Sequence, residues 1–213
     1  MDENSRTMHW ERVYASKLPE EVSWYQPTPT TSLALVDASG VGAEAGVLDV
    51  GGGTSRFVDG LLGRGFEDVT VLDVSPGALA RAAQRLGPRA GAVEWVVADV
   101  TDFEPTRLWS VWHDRAVFHF LTAAEDREAY GRTLRRCLSP GGWAVIATFA
   151  PDGPDRCSGL EVRRYSPPSL AAALGEDFEL VTGRSEEHLT PAGAPQAFSF
   201  ALLRFRGSPA AGT

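Results

Sequence analysis

The chain is predicted to fold as an α/β protein. Its expected architecture is a doubly wound, mostly parallel seven-stranded sheet with an antiparallel final strand, helices on both faces and a short N-terminal helical arm. Three observations carry this. Short apolar runs alternate with helical segments from Val47 onward, and that rhythm implies βα units. Three successive runs end in an acid: Val47-Leu48-Asp49, Val69-Thr70-Val71-Leu72-Asp73 and Val93 through Asp99. The first acid is followed by the glycine turn Gly51-Gly52-Gly53.

The elements follow in order. Residues 7–18 read as a helix with Trp10 and Tyr14 on one face, four residues apart. Pro27 and Pro29 then redirect the chain, and Thr30 or Thr31 caps a second short helix around 32–38. Strand 47–50 is followed by a helix over 55–64. Strand 69–73 precedes a helix over 76–86, capped by Ser75 with Pro76 in its first position. Strands 93–97 and 110–114 come next, then a helix over 124–138. Gly141-Gly142 opens strand 143–149, and a helix over 167–175 precedes strand 178–186. The last strand, 197–206, is joined to its predecessor by a short Pro/Gly loop, which makes the pair an antiparallel hairpin. The expected division is an arm over 1–40, one domain over 41–206 and a small, polar, disordered tail over 207–213.

Composition excludes several classes. The chain has 213 residues and a net charge of −8 without a basic cluster, which disfavours nucleic acid as a partner. No apolar run reaches the roughly 18 residues of a membrane span. The N-terminus lacks the basic-then-apolar order of a signal peptide, so the cytoplasm is the expected location and no membrane partner is expected. Cys137 and Cys157 form neither a disulfide framework nor a metal-ligand spacing, so no metal is expected.

The acid at the first strand end selects the ligand. A pyrophosphate sits poorly beside the Asp49 carboxylate, whereas the sulfonium and ammonium of S-adenosylmethionine sit well there. Asp73, about 20 residues past the glycine loop, is placed for ribose hydroxyls, and Asp99 for the adenine amino group. A dinucleotide would want a third glycine where this chain has Arg56.

This order of strands and acids resembles the class I S-adenosylmethionine-dependent methyltransferases over about residues 30–206. The resemblance assigns Asp49, Gly51, Gly53, Thr54 and Ser55 to the cofactor loop. It assigns Asp73 with Val74 to the ribose, and Asp99 with Val100 to the adenine. The turn Pro140-Gly141-Gly142 matches the start of the family's fifth strand. Ser55 stands where the family usually has its third glycine. The resulting Gly-x-Gly-Thr-Ser loop, with the segments Trp10–Tyr14 and Ser23-Trp24-Tyr25, looks like a subgroup that contains protein lysine methyltransferases.

Ligands in open parallel sheets bind beyond the carboxyl ends of strands near the topological switch, so His113, Asp114 and Arg115 at the end of the fourth strand should border the methyl group. His113 is the first candidate for a general base, followed by Asp114 and His188; Arg115 is expected against the cofactor. Asp114 and Arg115 could equally form a structural ion pair, and His119 is read as a packing or capping residue. Trp24, Tyr25, Cys157 and Gln196 are candidate substrate contacts, and the long loop 150–165 is a candidate binding loop. Trp10 and Tyr14 are expected to pack the arm onto the sheet. The expected function is transfer of a methyl group to an oxygen, nitrogen or sulfur atom of a small molecule. A protein lysine side chain as acceptor and a non-catalytic S-adenosylmethionine-binding module are the alternatives.

Overall fold

The structure, a computed structural model, describes residues 3–207. The remainder of the predicted tail, from residue 208, lies outside the described residues. The elements run α1 (Glu3–Ser16), α2 (Thr30–Ser39), β1 (Val47–Val50), α3 (Phe57–Gly63), β2 (Val69–Asp73), α4 (Pro76–Leu86), β3 (Val93–Val97) and β4 (Trp109–Arg115). They continue with α5 (Ala124–Cys137), β5 (Leu138–Phe149), β6 (Arg156–Cys157), β7 (Leu160–Glu161), α6 (Pro167–Leu174), β8 (Phe178–Leu189) and β9 (Pro195–Phe205).

Seven strands form one sheet in the order β3-β2-β1-β4-β5-β9-β8. The first five pair in parallel; β9 runs antiparallel to both β5 and β8. β1 and β2 are buried along their whole length, which is why they read as unbroken apolar runs. One core layer gathers Leu33, Phe57, Leu61, Val71 and Phe200 on one face of the sheet. The other gathers Leu48, Trp112, Tyr130, Leu134 and Leu203 on the opposite face.

Local chemistry sets the helix ends. Ser75 Oγ accepts from the Ala78 backbone N–H at 3.0 Å and Pro76 follows it, so α4 begins there. Glu125 and Asp126 open α5 while Arg135 and Arg136 close it, which complements the helix dipole.

Several elements differ from expectation. α1 starts four residues earlier than residue 7, at Glu3, because Arg6 in its first turn is tied to distant acids. β5 starts at Leu138 rather than 143. Loop 150–165 is not irregular throughout: β6 and β7 form a small hairpin across Ser158 (φ 50°) and Gly159 (φ 80°). Two consecutive left-handed residues are what a two-residue hairpin turn requires.

Candidate functional site

The sheet order reverses direction between β1 and β4, and a cavity of about 410 Å³ opens beyond the carboxyl ends of the strands there. Its walls come from every element that meets this edge: Val50 and Gly51 after β1, Asp73 and Val74 after β2, Ala98 to Val100 after β3, and Arg115 to Val117 after β4. Gly51 adopts φ +64°, and a Cβ there would lie 2.0 Å from Val117 Cγ2, so the loop can pass this close to β4 only as glycine. Gly53 adopts φ +45°, and Tyr14 Oη fills the place its Cβ would take, at 2.2 Å. Ala116, directly after β4, holds φ 77° without being glycine. Such strained backbone is typical of functional edges.

The three strand-end acids are all buried but occupy different environments. Asp73 lines the cavity. Its Oδ1 accepts from Ser75 N–H at 2.8 Å, and burial still pushes its pKa up to about 7 against the pull of the Ser75 and Gly53 amides. Asp99 also lines the cavity. Burial works to raise its pKa, but the Thr101 amide and the Arg6 guanidinium outweigh it and hold the carboxyl below its ordinary value. Arg6 Nη1 reaches Asp99 Oδ2 at 2.8 Å and Arg6 Nη2 reaches Asp126 at 2.6 Å. Asp49 lines a separate recess of about 30 Å³ with Gly51, Gly52, Thr54, Ser55 and Tyr25. Its Oδ1 takes a hydrogen bond from His113 Nδ1 at 2.7 Å, while its Oδ2 is buried without a partner.

The expected bases do not face the cavity. His113 has Asp49 on Nδ1 and Ser32 Oγ on Nε2 at 2.8 Å, and its ring stacks on Phe57 at 3.7 Å. Both ring nitrogens are engaged within the protein, and the ring holds Asp49 in place. Asp114 lies on the opposite face of β4, since neighbouring strand residues alternate. It accepts from the Val117 and Phe118 amides at 2.7 and 3.0 Å and from Tyr130 Oη at 2.7 Å. It therefore builds the turn after β4, and burial pushes its pKa up to about 6. His188 donates from Nε2 to the Ser23 carbonyl at 2.7 Å and fixes the arm to β8. Burial lowers its pKa. His119 packs between Phe120 and Phe149, and burial drives its pKa down to about 3.

Arg115 does not pair with Asp114. Its side chain extends toward β9, with the guanidinium carbon 4.5 Å from the centre of the Phe198 ring. Nη1 donates to the Trp24 carbonyl at 2.9 Å, and the nearest carboxylate oxygen, on Glu186, is 3.9 Å from Nη2. Of the candidate substrate contacts, Trp24, Cys157 and Gln196 line the cavity; Tyr25 lines the smaller recess. Burial pushes the Cys157 thiol above its ordinary pKa.

The arm contributes more than the sequence suggested. Trp10 and Tyr14 line the cavity as well as packing, and Trp10 meets Trp24 and Phe120 edge-on at 5.9 and 5.0 Å. Glu11 accepts from Ser75 Oγ and from the Gly77 amide at 3.0 Å, which seats α1 on the start of α4. Arg6, Glu11 and Asp126 carry no local motif. Their partners lie far away in the chain, so no spacing rule could have found them.

Residues 47–142 match the family described as a methyltransferase domain. A curated relative, the 23S rRNA (guanine(748)-N(1))-methyltransferase of Streptomyces fradiae, is 36% identical over 150 residues, covering 68% of this chain and 49% of its own length. The chain thus spans about half the length of that relative. Among solved structures, the N-methyltransferase NodS from Bradyrhizobium japonicum in complex with S-adenosyl-l-homocysteine is similar in fold, with a TM-score of 0.71 at 19% identity over 92% of this chain and 98% of that one. The 1,6-didemethyltoxoflavin-N1-methyltransferase of Burkholderia thailandensis gives 0.68 at 22% identity over 96% and 85%.

Proposed function

We propose that this chain, whose residues 47–142 match a methyltransferase domain, transfers a methyl group from S-adenosylmethionine to an oxygen, nitrogen or sulfur atom of a small molecule. The observation that supports a small acceptor is the size of the cavity and the wall that the arm gives it. At about 410 Å³ it falls in the range of ligand pockets, and Trp10, Tyr14 and Trp24 of the arm wall it in. The formal charge of −8 also works against a polyanionic partner.

The residues present fit the cofactor. The buried Asp73 carboxyl at the cavity wall suits ribose hydroxyls, and Val74 and Val100 offer apolar surface to a base. Gly51 leaves the backbone open beside β4. Asp49 Oδ2, buried and unpartnered, offers the adjoining recess an acceptor for an ammonium group. When bound, S-adenosylmethionine supplies an electrophilic methyl group on a good leaving group.

The chain's own contribution is alignment and exclusion of water. Trp10, Trp24, Phe120, Phe149 and Phe198 supply the apolar wall on which an acceptor is held. Among the described residues no histidine lines this cavity, and His113 lines the adjoining recess. Desolvation in this apolar wall favours the neutral, nucleophilic form of an amine, and a thiol or carboxylate needs little help at neutral pH.

Purified protein incubated with methyl-labelled S-adenosylmethionine and three acceptor pools tests this reading: small metabolites, proteins and ribosomal RNA. Label in the small-molecule pool is the expected outcome. Label confined to RNA would reject the small acceptor and favour the second reading, a structured RNA, which the 36% identity to the Streptomyces fradiae enzyme supports. Label in protein would favour the lysine alternative suggested by the Gly51–Ser55 loop. Cofactor binding without transfer to any pool would leave a binding module.

A further inference from the structure

The far end of the cavity holds a cation without a hydrogen-bonded anion. Arg115 keeps 10% of its side chain exposed, and among the described residues neither Nε nor Nη2 has a hydrogen-bond partner. Nη1 is occupied by the Trp24 carbonyl. Glu186 lies beyond hydrogen-bond length at 3.9 Å, and its Oε1 already accepts from Gln26 Nε2 at 2.7 Å. Although burial lowers the Arg115 pKa to about 10, the group is charged at neutral pH. A buried guanidinium left without full hydrogen bonding costs several kcal/mol, a cost that a bound anion would offset.

The free atoms are the informative part. Nε and Nη2 lie on one edge of the guanidinium plane and present two parallel N–H donors, the arrangement that a planar carboxylate accepts as a pair. Phe198 fixes the plane from below, with the guanidinium carbon at 4.5 Å. Gln196 lies two residues along β9 from Phe198, hence on the same face of the strand, and its Oε1 is also buried without a partner. Both residues line the cavity.

Position separates this pair from the nucleoside end. Asp73 and Asp99 follow β2 and β3, whereas the Arg115 guanidinium lies over β9, beyond β4 and β5 in the sheet. We propose that the Arg115 fork, with Gln196 on the same cavity wall, is the acceptor subsite, and that the methylated small molecule carries a carboxylate with an N–H or O–H donor near it. This rests on the methyltransferase reading and names its substrate class. The same fork chemistry could be met by the carboxylate of the cofactor itself, so the test separates the two sources.

The protein, loaded with S-adenosylhomocysteine, is titrated by ligand-observed NMR with benzoate, salicylate, phenylacetate and indole-3-acetate, and with the corresponding primary amides. A charge-assisted fork predicts that the carboxylates bind about tenfold or more tightly than their amides. Arg115→Gln should erase that preference and leave calorimetric S-adenosylhomocysteine affinity within about twofold of wild type, because the fork does not touch the cofactor. Arg115→Lys, which keeps the charge and loses the fork, should retain only part of the preference and guards against a variant that does not fold. Equal binding of acids and amides by the loaded wild type overturns the proposal and leaves the methyltransferase reading standing. Carboxylate binding to the cofactor-free protein alone, with S-adenosylhomocysteine affinity reduced about tenfold by Arg115→Gln, assigns the fork to the cofactor and also overturns it. A wild type that binds no S-adenosylhomocysteine removes the methyltransferase reading and this proposal together.

Discussion

The two ends of the cavity are built on opposite principles. At the β2–β3 end the polar groups are met internally: Asp73 by the Ser75 and Gly53 amides, Asp99 by Thr101 and Arg6, and Ser75 by Glu11. At the β4–β9 end Arg115 Nε, Arg115 Nη2 and Gln196 Oε1 have no hydrogen-bond partner and the neighbours are aromatic. A site that is pre-satisfied holds its shape and accepts a ligand by exchanging hydrogen bonds. A site with unmet donors in an apolar wall discriminates between ligands, because a molecule that cannot supply the missing acceptor leaves buried N–H groups without a hydrogen bond.

The boundary between the ends is β4, and breaking it should have the largest effect. Asp114→Ala strands the Val117 and Phe118 amides and the Tyr130 hydroxyl, all bound by that carboxylate. At about 1–3 kcal/mol for each stranded group, offset by removal of a buried acid, stability should fall by about 3 kcal/mol or more in urea titration. A loss below about 1 kcal/mol would show that the turn does not depend on it.

The β2–β3 end is tested by Asp73→Asn, which should weaken S-adenosylhomocysteine binding about tenfold or more by replacing a charged acceptor. The wild type should also show a pH signature. The Asp73 pKa stands at about 7 in the free protein, and hydroxyl donors favour the ionised form. Binding should therefore tighten as pH rises through about 7 and level off above it, and Asp73→Asn should flatten that rise. A pH-independent wild type between 5 and 8 contradicts the assignment.

Stability should carry a separate pH mark from His119. Its folded pKa is depressed to about 3 from an ordinary 6.5, so the unfolded chain binds the extra proton first. Its stabilising contribution is full above 6.5 and is lost as pH falls toward 3. The buried Asp114 acts oppositely: its pKa is raised to about 6, so its contribution is lost as pH rises from 3.8 to 6. Replacing His119 with Phe should lessen the loss of stability on the acid side in thermal melts from pH 6.5 to 4.

A smaller effect is expected from Arg6→Gln, which releases α1 from Asp99 and Asp126. Amide exchange in α1 should speed up about tenfold while β1 and β4 amides stay protected, since the partly buried pairs hold the arm and not the core. The smallest concerns Cys157. Its thiol pKa is raised by burial, so iodoacetamide at pH 7 should label it far more slowly than in urea. Cys157→Ala should change S-adenosylhomocysteine affinity by less than about twofold.

The architecture was legible because its signals are local. Buried parallel strands need unbroken apolar runs, Ser75-Pro76 starts a helix by its own chemistry, and a short loop before Gln196 forces a hairpin. The candidate site was legible on one side only. Asp73, Val74, Asp99 and Val100 were placed at the cavity by strand ends and glycine spacing. His113, Asp114 and His188, the expected bases, instead make hydrogen bonds within the protein. Sequence proximity does not tell which face of β4 meets the cavity, nor that Ser32 and Ser23 come from the arm to occupy the two histidines. The β6–β7 hairpin escaped because Ser158 gives no sign of a left-handed conformation.

The sequence by itself therefore determined the succession of strands and helices, the acids at three strand ends and the class of cofactor, since each depends on residues adjacent in the chain. Only the tertiary structure decided which side chains are spent on the fold and which stay free to act. Arg6 is used on Asp99 from 93 residues away, His113 on Asp49 from 64, while Arg115 Nε and Nη2 make no hydrogen bond among the described residues. Hydrogen-bond satisfaction is a property of three-dimensional neighbours, and no pattern along the chain encodes it.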